Sequence, residues 1–96
     1  MIITRSRLLV EIKNSQFNGK PSKNLLGMLN EMSQRLSDLL HYPHGEIRDL
    51  MLEFTAGYVY AAYIDFDWRH SKDPFAYFAQ VIYTSFVIYK SCPIDR

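Results

Sequence analysis

Residues 46–65 decide the fold, and they read EIRDLMLEFTAGYVYAAYID. The segment has no proline, one glycine and many apolar residues, which predicts an uninterrupted helix. At about 100° per residue, one side of that helix collects side chains that we expect to face the core. This predicted core stripe consists of Ile47, Leu50, Met51, Phe54, Tyr58 and Ala61.

The opposite side of the same helix is also apolar. It carries Leu52, Ala56, Val59, Tyr60 and Tyr63, with Asp49 and Glu53 beside them. A surface helix of a small domain is normally polar on the side that faces away from the core. Either the first or the fourth helix covers this second side, or it is a docking surface for a larger partner. In the second interpretation the two carboxylates favour a basic partner.

Proline, glycine and helix-capping residues divide the rest of the chain into three further helices. The four predicted helices are a short one capped by Thr4 that fades at Asn14–Ser15, one from Ser22 to about His41, one from about Glu46 to Asp65, and one from Asp73–Pro74 to about Lys90. No segment alternates strongly enough to predict a strand. We therefore expect an all-α protein, a compact four-helix domain that spans residues 1–96 as one unit.

Composition excludes several classes of protein. With 48% hydrophobic and 15% aromatic residues, the chain is typical of a folded domain and not of a disordered one. The longest apolar stretch, Phe75 to Tyr89, is shorter than the ~20 residues of a bilayer span, which predicts no membrane helix. The start of the sequence, Met1-Ile2-Ile3-Thr4-Arg5, lacks the apolar h-region of a signal peptide, which predicts that there is none. The single cysteine, Cys92, allows no internal disulfide and fits a cytoplasmic protein.

Charge is nearly balanced overall but differs between the two halves of the chain. Residues 1–48 contain seven Lys or Arg and four Asp or Glu, whereas residues 49–96 contain four and six. A protein that bound nucleic acid by phosphate contacts alone would be more basic than this.

No group of residues predicts catalysis or a bound cofactor. A zinc set would have to be assembled from poorly spaced ligands, namely His41, His44, His70 and Cys92. Asp65 and Asp67 are better explained as the end of a helix and the start of a loop than as an acid–base pair. The sequence also has no glycine-rich phosphate loop and no nucleophile elbow. We therefore expect a protein that is not an enzyme and that holds no metal or cofactor.

Three segments in the second half of the chain together resemble conserved region 2 of bacterial sigma factors. They are Asp49-Leu-Met-Leu-Glu53, then Gly57, Ala61 and Phe66-Asp67, then Pro74-Phe-Ala-Tyr77. In that region an acidic-start helix leads through a Phe-Asp or Phe-Glu loop into a helix that begins near paired Ala and Tyr residues. The sequence is most similar to the late-gene sigma factors of T-even-type phages, in which the matching residues are Phe66-Asp67, Lys72, Pro74, Ala76-Tyr77, Gln80 and Phe86. The likeness covers roughly residues 25–88.

In sigma factors the helix that matches residues 46–65 binds the coiled coil of the β′ clamp of RNA polymerase. The resemblance therefore implies that bacterial RNA polymerase core is the partner. Carried over by position, the polymerase-binding residues are Asp49, Leu52, Glu53, Ala56, Val59 and Tyr60, with Thr55 as an alternative to Ala56. These residues largely coincide with the second apolar side of the helix. The hypothesis requires Leu52, Val59 and Tyr60 to lie at an accessible groove.

The resemblance also implies that the next loop and the fourth helix face the −10 element of promoter DNA. Sigma factors use aromatic residues there to hold unstacked bases and polar residues to read the adjacent duplex. The candidate DNA-binding residues are Trp68, Arg69, Lys72, Tyr77, Gln80, Tyr83 and Thr84, with His70 beside them in the loop. Gln80-Val81 replace the adjacent tryptophans of typical primary sigma factors, and no helix-turn-helix reader of the −35 element is present.

The resemblance as a whole implies a small phage-type sigma-like transcription factor. It would bind the β′ clamp in the cytoplasm of a bacterial host and direct the polymerase to a short AT-rich promoter element, with or without a phage co-activator. Two alternatives stay open. One is a sigma mimic that occupies the clamp and inhibits host transcription, and the other is a helical structural module that self-associates through its spare apolar face.

Overall fold

The computed structural model describes residues 3–67, 69 and 73–91. Four helices account for most of them: α1 (Arg5–Asn18), α2 (Lys23–Leu39), α3 (Glu46–Asp65) and α4 (Pro74–Ser91). The described residues contain no strand, so the expected all-α, four-helix fold is confirmed. The bounds of α3 agree with the predicted ones, and α2 ends two residues earlier than predicted.

Three of the helices begin at a side-chain cap that the sequence predicts. The capping hydrogen bonds join Arg7 N–H to Thr4 Oγ1 at 3.1 Å, Leu25 N–H to Ser22 Oγ at 3.0 Å, and Ala76 N–H to Asp73 Oδ1 at 3.0 Å. α3 follows Gly45 and has no side-chain cap. Its first turn instead carries Glu46 and Asp49, whose negative charges stabilise the helix by interacting with the positive end of its dipole.

The first helix is longer than the sequence predicted. It does not fade at Asn14–Ser15 but continues to Asn18, where Gly19 adopts a left-handed conformation with φ of 86°. The Gly19 N–H then donates to the Gln16 carbonyl at 3.3 Å, which closes the last turn. As a result Phe17, which follows the predicted end of the first helix, lies on the last turn of α1.

The core lies where all four helices meet, and α3 and α4 make the most extensive contact. α1 and α2 pack against each other and against α4, while α2 also packs against α3. The buried apolar side chains are Leu8, Ile12, Leu25, Met28, Leu29, Met32, Met51, Val59, Ala62, Tyr63, Phe66, Phe78, Ile82 and Phe86.

The predicted core stripe of α3 is largely wrong. Of its members only Met51 is buried, whereas Ile47 is 78% exposed and Leu50 is 48% exposed. Tyr58 and Ala61 are exposed as well. Phe54 is partly covered, because its ring lies 5.3 Å from the ring of Tyr89 on α4.

The side of α3 that faces the core instead carries Met51, Thr55, Val59 and Ala62. Thr55 is fully buried, and its Oγ1 lies 2.7 Å from Ser85 Oγ on α4, also fully buried. Two short polar side chains at this crossing allow the helices to approach closely while each hydroxyl keeps a hydrogen bond. The expected role of Thr55 as an alternative docking residue is therefore wrong, since it belongs to the α3–α4 interface.

Candidate docking groove

An open apolar groove lies between α2 and α3. We call it the α2–α3 groove, and it encloses about 180 Å³. Its lining residues are Pro21, Leu26, Leu29, Asn30, Ser33, Leu52, Ala56, Val59, Tyr60 and Tyr63. The groove exists because α1 and α4 contact other sides of α2 and α3 and leave this seam between them open.

The deepest part of the groove is formed by core residues. Leu29, Val59 and Tyr63 are buried, while Leu26 and Tyr60 are about half exposed on the two sides. Burial, with a smaller contribution from the neighbouring Tyr60, raises the pKa of the Tyr63 phenol. Because a phenol with a raised pKa is neutral at physiological pH, the groove has an uncharged floor.

The charges on the exposed surface of α3 are all negative. Asp49 and Glu53 are exposed and lie one turn apart, on the side of the helix that borders the groove. Glu46 and Asp65 are exposed as well, and the one basic residue of α3, Arg48, is only 6% exposed. The groove is therefore an apolar depression beside an acidic edge, which suits a partner that combines apolar and basic side chains.

Arg48 fixes the position of α3 relative to α2 at one end of the groove. Its Nη1 donates to Asp38 Oδ1 at 2.6 Å and lies 3.0 Å from His44 Nε2, and its Nη2 donates to the Gln34 carbonyl at 3.4 Å. The hydrogen bond from Arg48 holds the pKa of Asp38 below its ordinary value. These contacts join the end of α2, the following turn and the start of α3, so the two helices that form the groove are held together.

Most of the predicted polymerase-binding residues lie at this groove or on its edge. Leu52, Ala56, Val59 and Tyr60 line it, and Asp49 and Glu53 flank it. They differ in accessibility: Val59 is buried in the floor, Leu52 is partly exposed, and Tyr60 is 48% exposed. The sequence did not indicate the α2 side of the groove, because nothing in the pattern of α2 shows that Leu26 and Asn30 stay uncovered.

The predicted DNA-binding residues are not all brought together. Trp68, Lys72 and the neighbouring His70 lie outside the described residues. Arg69 is exposed, and its backbone N–H donates to Asp67 Oδ1 at 2.9 Å.

On α4, Gln80, Tyr83 and Thr84 are exposed on the side away from the core, where Gln80 Nε2 donates to Thr84 Oγ1 at 3.2 Å. These three side chains give the exposed surface of this helix an amide, two hydroxyl groups and one aromatic ring.

Tyr77 is placed differently from the other α4 candidates. Its ring lies 5.1 Å from the rings of both Phe66 and Phe78, and its hydroxyl donates to the Ala62 carbonyl at 3.4 Å. The side chain thus packs between the end of α3 and the start of α4. In this arrangement the Tyr77 side chain is only partly exposed.

Sequence reasoning missed an exposed group on α1. Phe17 is 91% exposed and lies beside Lys13, Asn14, Gln16 and the Arg69 side chain around a shallow hollow. The signal was present in the sequence, because Val10, Lys13 and Phe17 recur at helical spacing on the side opposite Leu8 and Ile12. It was overlooked because the predicted first helix ends at Asn14–Ser15, before Phe17.

Two negative observations concern the described part of the chain. Within residues 3–67, 69 and 73–91, no three His, Cys, Asp or Glu side chains are grouped so that they could hold a metal ion. None of the four helices combines the length and apolarity that crossing a membrane requires.

The chain was compared with protein-family models, with curated proteins and with solved structures. None of the three comparisons finds a match to it.

Proposed function

We propose that the protein is a small sigma-like transcription factor that binds the β′ clamp of bacterial RNA polymerase through the α2–α3 groove. The observation that carries this proposal is the open groove with its acidic edge, on the helix whose sequence resembles the clamp-binding helix of sigma factors. In the bound complex, Leu52, Ala56 and Tyr60 would contact apolar side chains of the clamp helices. Asp49 and Glu53 would pair with basic side chains at the edge of the interface.

The form of the groove supports a helical partner. Its two walls are helices, and its lining residues on α3 recur at positions 52, 56, 59, 60 and 63, along three turns of one side. An amphipathic helix laid into such a groove places anchors from successive turns against it. Because Leu29, Val59 and Tyr63 in the floor are already buried, binding would require little further ordering of them.

We further propose that the bound protein directs the polymerase to a short AT-rich promoter element. The exposed surface formed by Gln80, Tyr83 and Thr84 supports this part, because it presents amide and hydroxyl groups and one aromatic ring on a single side of α4. Arg69, on the adjoining loop, would contribute a phosphate contact.

The docking proposal is tested by retention of bacterial core RNA polymerase on the immobilised full-length chain. We expect Asp49→Lys combined with Glu53→Lys to weaken retention by about 30-fold or more, since the two reversals place like charges opposite each other at the interface, which costs about 2 kcal/mol or more. Both residues are exposed on α3, so the helical circular dichroism signal should not change.

A matched control is Asp65→Lys, which makes the same charge change at an exposed site on the same helix but outside the groove lining. We expect it to bind polymerase like the unchanged chain, and Glu53→Lys alone to bind more weakly. If the double variant binds core polymerase as well as the unchanged chain does, the α2–α3 groove is not the docking site.

The placement of Tyr77 favours one alternative, a sigma mimic that occupies the clamp and inhibits host transcription. With Tyr77 packed against Phe66 and Phe78, the start of α4 presents fewer aromatic rings to DNA than the sequence predicted. Run-off transcription with core polymerase separates the two functions. Specific transcripts from a phage template support the sigma-like factor, whereas loss of host-sigma-dependent transcripts without new starts supports the mimic.

A further inference from the structure

Exposed basic residues are concentrated near the start of the chain, whereas the exposed charged residues of α3 are acidic. Residues 1–23 contain Arg5, Arg7, Lys13, Lys20 and Lys23 but only one acidic residue, Glu11. All five basic side chains are exposed, and Arg5 Nε lies 3.6 Å from Asp73 Oδ2. The exposed surface of α3, in contrast, carries acidic charges alone. The near-neutral total charge therefore conceals a basic surface formed by α1, the turn after it and the first residue of α2.

The outer side of α1 also exposes apolar groups where solvent would favour polar ones. Phe17 is almost completely exposed, and Val10, two turns before it on the same side, is about half exposed. Lys13 lies between them in the sequence and borders the same hollow as Phe17, together with Asn14 and Arg69. This hollow has a volume of about 410 Å³, and its lining is polar and apolar in similar measure.

The hollow is held in place by the end of α1. Gln16 Nε2 donates to the Phe66 carbonyl at 2.7 Å, which connects the last turn of α1 to the C-cap residue of α3. On the other side, Ser15 Oγ accepts from the Ser22 N–H at 2.9 Å, which fixes the turn into α2. Arg69 follows Phe66 closely in the sequence, so these contacts bring its loop beside Phe17.

We propose that this α1 hollow binds single-stranded nucleic acid, with an unstacked base on the Phe17 ring and backbone phosphates near Lys13 and Arg69. An exposed aromatic ring beside positive charge is a combination that binds single-stranded nucleic acid, since each base offers a flat face for stacking. Arg69 Nε also lies 3.6 Å from Asp67 Oδ1, an exposed ion pair that a phosphate would compete with. Asn14 supplies an amide that can donate to or accept from a base edge. Duplex nucleic acid does not suit Phe17, because its bases are already stacked.

The inference goes beyond the proposed polymerase docking and does not depend on it, and Arg69 is the one residue that it shares with the proposed promoter contact. The two surfaces lie on different helices and carry opposite charge, so each can be tested without the other. The isolated full-length chain and labelled oligonucleotides suffice for the α1 hollow, and no polymerase is needed.

The test is fluorescence anisotropy of a labelled single-stranded oligothymidylate titrated with the chain at low salt. We expect Phe17→Ala to lower the affinity by about fivefold or more, the loss of one base–aromatic stack, and Phe17→Trp to keep or raise it. Lys13→Ala should reduce the slope of log affinity against log salt by roughly 0.7, the value for one phosphate contact on a single strand.

There are two matched controls. Ile47→Ala removes an exposed apolar side chain from α3. Lys90→Ala removes one positive charge from the last turn of α4, which lies near the start of α3 and away from the hollow. Both should bind the oligonucleotide like the unchanged chain. If Phe17→Ala and Ile47→Ala lower the affinity equally, or if neither lowers it, the proposed stacking site is wrong.

A membrane surface is the other anionic partner that a basic, partly apolar helix attracts, and Phe17→Leu distinguishes it from nucleic acid. Leucine keeps the apolar bulk but has no ring for stacking, so oligonucleotide affinity should fall as in Phe17→Ala. Vesicles of phosphatidylserine and phosphatidylcholine provide the comparison. Vesicle binding that Phe17→Leu retains, with no oligonucleotide binding by the unchanged chain, would overturn the proposal.

Discussion

The hydrogen bond between Thr55 and Ser85 provides a sharp test of how α3 is oriented, and therefore of which residues border the groove. Ser85 Oγ lies 2.7 Å from the Ile82 carbonyl, to which its single proton is donated. Thr55 Oγ1 must then be the donor across the 2.7 Å contact with Ser85 Oγ. We consider Thr55→Val, Ser85→Ala and the double variant.

The two single changes should differ in cost. Thr55→Val keeps the side-chain shape and leaves the Ser85 proton paired, so it loses about 1 kcal/mol of unfolding free energy for one buried hydrogen bond. Ser85→Ala leaves the buried Thr55 hydroxyl without its acceptor and should cost about 1–3 kcal/mol. Once Ser85 is alanine, Thr55→Val removes that unpaired hydroxyl and should cost nothing further. The double variant should therefore be about 1 kcal/mol more stable than the sum of the single effects predicts.

Urea unfolding followed by circular dichroism measures all four free energies. Thr84→Val is the control, because Thr84 is the exposed neighbour of Ser85 and its substitution should change stability by less than about 0.5 kcal/mol. If the Thr55 and Ser85 effects are additive and each is as small as the control, Thr55 does not face α4. In that case α3 has the orientation that its predicted core stripe implies, and the α2–α3 groove is misplaced.

Three further predictions follow from the contacts of α2 and α3. The Arg48 guanidinium lowers the pKa of Asp38 in the folded state. This carboxylate therefore stabilises the fold above its unfolded pKa of about 3.9, and the contribution is lost as pH falls through the folded pKa. Asp38→Asn should accordingly make the urea midpoint less pH-dependent below about pH 4. Met51→Ala should cost about 2–5 kcal/mol, whereas Ile47→Ala, four residues earlier and mostly exposed, should cost under about 1 kcal/mol in the same urea titration. Gly57→Ala should stabilise the protein by about 0.4–1 kcal/mol, seen as a higher melting temperature, because a Cβ there meets no atom within 4 Å and alanine favours the helix.

The helices could be predicted from the sequence because their signals are local. Thr4, Ser22 and Asp73 cap helices through hydrogen bonds to residues three positions later, and such bonds depend on nothing distant in the chain. The one clear error in a helix boundary is at the end of α1, where the sequence predicted no role for Gly19. Its left-handed conformation instead completes the helix that precedes it.

The orientation of α3 could not be predicted, because the helix is apolar on nearly every side. Where polarity varies little around a helix, the periodicity of its sequence does not determine which side is buried. The choice depends on the shape of α4, where Ser85 offers a hydrogen bond and little bulk. Thr55, a polar residue, is consequently buried, and Ile47 is exposed. Pairing between distant polar residues leaves no signal in a single helical segment.

The candidate site was predicted in part for the same reason. The residues on α3 beside the groove were identified because their excess of apolar side chains was visible without knowing which helix packs on them. The contribution of α2, the packing of Tyr77 and the exposure of Phe17 depend on contacts between segments far apart in the chain. Those contacts became evident only in the folded structure.

The difference in charge between the basic surface around α1 and the acidic surface of α3 gives a nearly neutral protein an electric dipole. The field of a dipole falls off faster with distance than that of a net charge, and physiological salt screens it further beyond about 8 Å. Such a molecule is attracted only weakly to a distant charged surface, but the field of that surface orients it once the two are close. A polyanion would meet α1 first and a cationic surface would meet α3 first, so both can be held at once without competing for one face.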